Sequence, residues 1–150
     1  MRFINETRVF GTDQVTQIAV PWTPDDLRAA IAEWRFGRET MGITIGSQTI
    51  TTNRDEMGIW LGMVDDIQRR PGATAAFEYR PREGVNVTLT PAQVLRVVDC
   101  FKWYVAACFA TERALNEAIT AAELDLSIIA AMAQNPATWP QRQFDWTPPT

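Results

Sequence analysis

The sequence predicts an α+β fold: three main helices and two β-hairpins forming a small antiparallel sheet, with extended N- and C-terminal arms. Three observations carry this. Capping signals precede three long runs of helical periodicity. Two short β-branched or aromatic pairs of segments alternate between those runs. Proline-flanked tryptophans mark both ends. The 150 residues, 46% apolar and 21% charged, suffice for one domain with a hydrophobic core. The expected layout is an arm over 1–22, a domain over 23–137 and a tail over 138–150.

Residues 1–22 carry strand-like pieces at Phe3–Phe10 and Val15–Val20, with Gly11-Thr12-Asp13 able to turn the chain. Their imperfect alternation suits an extended arm or a weak hairpin. Thr23 then caps a helix, Pro24 suits its first position, and Asp25 and Asp26 complement its positive end. Leu27, Ala30, Ile31 and Trp34 form its apolar stripe, and the helix should stop near Thr40, before Gly42. Ile43 to Thr52 reads as a hairpin about a glycine-led turn. Thr52 or Asn53 can cap the second helix, over about 54–68, with Met57, Trp60, Leu61, Val64 and Ile67 as its stripe. Gly58 and Gly62 on this helix read as close packing against a neighbouring element, or alternatively as a subunit contact.

A second hairpin is expected over 74–79 and 85–89, its loop being Arg80 to Gly84. Both hairpins are expected to share one sheet with helices on its apolar face. Thr90-Pro91-Ala92-Gln93 starts the third and longest helix. Val94, Val98, Phe101, Val105, Cys108, Leu115 and Ile119 follow one face of it. A break is expected at Ala121–Asp125, then a short helix over about 126–133 ending at Asn135-Pro136. The tail from Thr138 holds three prolines in thirteen residues and is expected to be extended.

Several classes of chemistry find no support. A net charge of −4 argues against general nucleic-acid binding. Arg69, Arg70, Arg80 and Arg82 read as a solvated loop surface rather than a basic patch. With no histidine, the commonest general base and metal ligand is missing. Cys100 and Cys108, ~12 Å apart along a helix, cannot bridge each other and read as buried free thiols. Asp25/Asp26 and Asp55/Glu56 sit at helix starts, where they stabilise, and Asp65/Asp66 point in different directions from one helix. No phosphate loop or nucleophile elbow occurs, and Lys102, the single lysine, reads as an exposed cation. No apolar run approaches the ~20 residues of a membrane span. The N-terminus lacks the apolar stretch of a secretion signal, so synthesis and retention in the cytoplasm are expected until something carries the protein elsewhere.

Six tryptophans are many for this length. Trp34 and Trp60 read as core, and Trp103 also lies on a helix. The aromatic side chains of the two ends, Phe3, Phe10, Trp22, Trp139, Phe144 and Trp146, either fold back onto the domain or fill pockets on a partner. They are the candidate partner-binding residues.

Short motifs carry a family resemblance. They are Trp34-Arg35 with Glu39, Gly42-Ile43-Thr44-Ile45-Gly46, Ile50-Thr51-Thr52-Asn53-Arg54, Val87 to Gln93, Val105, and Ala107-Cys108-Phe109. Leu115, Ile119 and Trp139-Pro140 follow. Over about 24–140 the chain resembles the domain of unknown function number 4376, which recurs in tail and tail-fibre proteins of tailed phages. Asn53 stands where the family usually has aspartate, and no histidine lies near Val105, where the family often has one. The resemblance implies a non-enzymatic structural part of a phage tail, made in the host cytoplasm and residing in the virion, with no cofactor. Its partners would be other tail proteins, with multiple copies per particle and no nucleic acid, membrane or small-molecule substrate. The alternative is a tail-fibre assembly chaperone absent from the mature virion.

Overall fold

A computed structural model describes residues 2–8, 15–72, 76–80 and 85–147, with side chains omitted for 3–8 and 15–18. The elements run β1 (Arg2–Arg8), β2 (Val15–Val20), α1 (Pro24–Glu39), β3 (Ile43–Ile45), β4 (Gln48–Ile50), α2 (Arg54–Arg69), β5 (Phe77–Tyr79), β6 (Val87–Leu89), α3 (Pro91–Ala121), α4 (Leu126–Gln134), a 3₁₀ turn (Pro136–Thr138) and β7 (Gln143–Phe144). The class is α+β, as the periodicities predict.

The helix starts are set by their caps. Thr23 accepts from the Asp26 amide at 3.3 Å, and Asn53 from the Glu56 amide at 2.8 Å. Thr90 and Gln93 form a reciprocal capping box. Thr52 is therefore not a cap. Its buried hydroxyl accepts from the Gly42 amide at 2.9 Å and donates to the Glu39 carbonyl, which ties the end of α1 to the end of the first hairpin. Gly42 has φ +88°, and a Cβ there would meet the Ile50 carbonyl oxygen at 2.7 Å, so this junction requires glycine.

The expected common sheet is not formed. β1 and β2 pair alone as an antiparallel hairpin, from Arg2↔Val20 to Arg8↔Val15. β3 pairs with β4 on one side and, in parallel, with β7 on the other. That leaves no edge of β3 for the second hairpin, and β5–β6 form a separate pair. The second hairpin instead attaches through side chains: the Tyr79 and Trp60 rings lie 4.5 Å apart, and the Tyr79 hydroxyl donates to Glu56 at 3.2 Å. Its strands are also shorter than expected, and Val85 stands outside them, 82% exposed. Ala75, most of the Arg80–Gly84 loop, Phe10 and the Gly11-Thr12-Asp13 turn lie outside the described residues.

Two apolar clusters form the core. The first gathers Ile43, Ile45 and Ile50 of the first hairpin, Trp60 of α2, Tyr79, Leu89, and the first half of α3 from Val94 to Cys108. The second gathers Leu27 and Ile31 of α1, Leu115 and Ile119 of α3, Ile129, Ala130 and Ala133 of α4, and Trp139. α3, ~46 Å long at helical rise, contributes to both. It ends at Ala122, which caps it in the left-handed conformation at φ 54°. Asp125 then caps α4 by accepting from the Ser127 amide at 2.7 Å. The break thus falls where the loss of apolar periodicity places it.

The expected packing role of Gly58 and Gly62 is not found. Both are exposed, and among the described residues nothing outside their own helix backbone lies within 4 Å of where a Cβ would sit.

Three outcomes follow from this packing. Ala122→Gly should raise stability by about 1 kcal/mol, because glycine adopts the left-handed cap without steric cost; an unchanged denaturant midpoint would argue against that strain. Trp139→Ala should cost ~3–5 kcal/mol as a large side chain leaves a packed cluster, read as a lowered midpoint in urea. The third concerns pH. Burial, with the Glu56 carboxylate alongside, pushes the Tyr79 phenol up to about 12 from its ordinary 10. Burial also raises Tyr104, Cys100 and Cys108. Groups that hold their protons more tightly when folded cost nothing below their unfolded pKa and remove stability as the pH climbs toward the folded value. The melting temperature should hold to about pH 9 and then fall, each group adding up to ~1.4 kcal/mol per pH unit. Tyr79→Phe should flatten the fall between pH 10 and 12, and a slope equal to that of the unmodified chain would show that Tyr79 is not so held.

Candidate functional site

α3 turns its inner residues to the two core clusters, and what it turns outward is unusual. Leu95, Trp103 and Phe109 are 40%, 51% and 44% exposed. With exposed Ala106 and Ala110 they recur at helical spacing, so they fall on one stripe. Lys102 lies on the same side, exposed. A long helix whose middle turns alanines and aromatic rings to solvent leaves apolar surface uncovered by the described residues.

The C-terminal segment borders this stripe. It is not an extended polyproline arm: after the 3₁₀ turn it folds back as β7. The Thr44 amide donates to the Arg142 carbonyl at 2.7 Å and the Gly46 amide to the Phe144 carbonyl at 2.9 Å. Arg96 on α3 donates through Nε to the Asp145 carbonyl at 3.0 Å, and the Trp103 ring meets Phe144 edge-on at 5.5 Å. Between β7 and α3 runs a groove of about 530 Å³, lined by Arg96, Asp99, Trp103, Gln143, Phe144 and Asp145. Buried Cys100 forms part of its floor.

Gly46 explains how the segment closes. At φ +59° it serves the tight turn between β3 and β4, and a Cβ there would meet the Trp146 indole nitrogen at 2.7 Å. The missing side chain is therefore the seat for Trp146, which packs against the first cluster.

The aromatic residues of the two ends are accounted for one by one. Trp139 is only 5% exposed, lies in the second cluster, and donates through Nε1 to the Ala133 carbonyl at 2.7 Å. Trp22 packs on the same cluster and meets Trp34 edge-on at 6.1 Å. Phe144 and Trp146 pack on the first cluster. Phe3 sits in β1 opposite Ala19, with its side chain outside the description, and Phe10 lies outside the described residues. Fold-back is what the structure shows for the four whose side chains are described, and they do not converge on one site. The exposed tryptophan is Trp103. Its signal in the sequence was its position: next to Lys102, and at the margin of the apolar stripe of α3.

The polar residues that could do chemistry are bound up in packing. Arg35 of α1 pairs with Glu39 on its own helix and with Glu112 of α3 at 2.7 Å, and its guanidinium stacks 4.2 Å from the Phe109 ring. Two carboxylates from two helices thus share one cation, an ionic strap between α1 and α3. Asp65 pairs with Arg69 and Asp66 with Arg70, which cancels much of the local positive charge there. Burial raises both thiols, so near neutral pH they are protonated and poorly nucleophilic. No helix of the described residues is long and apolar enough to cross a membrane, and no group of three or more metal-binding side chains occurs among them.

Many of the motif residues belong to this framework. Arg35, Glu39 and Phe109 make the strap, Gly42 and Thr52 the junction, Gly46 the seat of Trp146, Asn53 and Thr90 the caps, and Leu115, Ile119 and Trp139 the second cluster. No curated protein and no solved structure gives a significant match to the chain. The model of the family described as Domain of unknown function (DUF4376) matches residues 23–134, which is most of the chain, and the chain belongs to that family.

Proposed function

We propose that this protein is a structural component of a bacteriophage tail, in the tip, baseplate or fibre region, and that it acts through protein–protein contact. The supporting observation is the uncovered apolar stripe of α3, with Leu95, Trp103 and Phe109 turned to solvent beside the groove along β7. Partly exposed aromatics on a rigid helix, next to a concave surface, are what a binding partner uses as anchors. The tail context rests on the sequence resemblance alone. On this reading the protein has no catalytic centre; its carboxylates and arginines hold helices together, and its adhesive surface does the work. Several copies per particle would follow from the symmetry of tails. An assembly chaperone would use the same face reversibly, and immunodetection in purified, intact virions separates the two: presence supports the structural role, absence the chaperone.

Trp103→Glu tests the face itself. Trp103 is half exposed, so the substitution should change stability little, while a buried hot-spot aromatic is worth about 2 kcal/mol or more. The copy number per particle, or retention on the partner for a chaperone, should fall by more than tenfold. Wild-type incorporation of a folded Trp103→Glu protein would rule this face out.

A further inference from the structure

The side of the molecule where α1 ends holds a feature that packing does not explain. Arg38, in the last turn of α1, and Arg142, just before β7, both direct a guanidinium to the same atom. Their Nη1 groups lie 3.9 and 3.8 Å from the Met41 sulphur. The two cations therefore flank one sulphur, and like charges gathered in this way repel. A thioether is a weak acceptor and offers them no charge in return. Neither arginine forms an ion pair among the described residues, whereas Arg2, Arg28, Arg35, Arg69 and Arg70 each hold a carboxylate.

Both arginines are partly buried and held in place. Arg142 is anchored by its Nε, which donates to the Gly42 carbonyl at 2.8 Å. Arg38 is fixed at its backbone, where its carbonyl accepts from the buried Tyr104 hydroxyl at 2.6 Å. Both arginines border a depression of about 540 Å³ that also takes in Thr44, Gln141, Pro136, Ala137 and Pro140. Met41, between the two guanidiniums, is 50% exposed, so the site is open to a ligand. The negative end of the α1 dipole lowers the cost of gathering cations here but satisfies none of those side-chain donors.

We propose that Arg38 and Arg142 form an oxyanion-binding clamp that takes a carboxylate side chain from an acidic peptide segment of a protein partner. Paired guanidiniums offer planar forks of N–H donors that match a carboxylate, and the hydroxyl and amide groups of Thr44 and Gln141 extend the polar wall. The apolar flank from Pro136, Ala137 and Pro140 suits a peptide with apolar residues between its acidic ones, which free phosphate cannot exploit. The clamp deepens the reading of the protein as an interaction module and rests on it for the source of the carboxylate. It is separate from the α3 stripe, so the failure of either leaves the other standing.

The test titrates the full chain with a capped hexapeptide of alternating glutamate and leucine, with the same peptide carrying glutamine for glutamate, and with inorganic phosphate. Side-chain Nε–H resonances of the arginines provide the readout. Saturable shifts of Arg38 and Arg142 with the glutamate peptide, at least tenfold weaker with the glutamine peptide and with R38Q, support the clamp. R38Q loses a contact to Met41 and a favourable charge at the end of α1, so it should lower the melting temperature by only a few degrees and stay folded even if R142Q, which also loses the Gly42 bond, does not. Shifts with phosphate alone would overturn the peptide source. No saturable shift, or equal binding by R38Q, would overturn the clamp.

Discussion

Everything in this molecule depends on α3 serving two cores at once. Its first half, from Val94 to Cys108, closes the cluster built by the first hairpin and Trp60, and its second half, at Leu115 and Ile119, closes the cluster built by α1, α4 and Trp139. A helix committed on its inner side along most of its length is a rigid spine. The Arg35 strap to Glu39 and Glu112 fixes α1 against it near the point where one cluster gives way to the other. Removing water from such an ion pair is costly, so its net contribution to stability is small, and what it supplies is a defined orientation of α1 on α3. The outer side of the spine is then presented in a fixed geometry. Binding through it would carry little ordering cost, unlike binding through a flexible arm.

The C-terminal segment shows how two weak signals combine. Three prolines and two tryptophans in thirteen residues describe an extended chain looking for a surface. The surface it finds is its own domain: β3 offers a free edge, Gly46 offers a gap the size of an indole, and Ala133 offers a carbonyl for Trp139. Once β7 occupies the β3 edge, the second hairpin cannot pair with β3. It stays a separate pair, held through Tyr79 stacking on Trp60.

What was legible in the sequence was what depends on near neighbours. Thr23, Asn53 and Thr90 act within three residues of themselves, so the helix starts could be read directly. The stripe at Val94, Val98, Phe101 and Cys108 follows from helical geometry alone. What was not legible depends on residues far apart in the chain. No local rule pairs β3 with a strand about a hundred residues later, brings Arg38 beside Arg142, or gives Thr52 to Glu39 and Gly42 rather than to the helix after it. Trp103 was hidden for a related reason. Its helix position was evident, but whether another element covers it is decided by tertiary packing, and β7 reaches only its edge. Gly58 and Gly62 illustrate the converse: a spacing that suggests close packing, on a face that nothing among the described residues approaches.

The central claim is that the solvent-facing stripe of α3 is the surface through which the protein works. Hydroxyl-radical footprinting of the free chain and of the chain in purified particles tests it most directly. Trp103 and Phe109 should be labelled readily in the free protein and protected in the particle, while Phe36 and Ile59, exposed on α1 and α2, stay labelled in both. Equal labelling of Trp103 and Phe109 in the two states would contradict the claim.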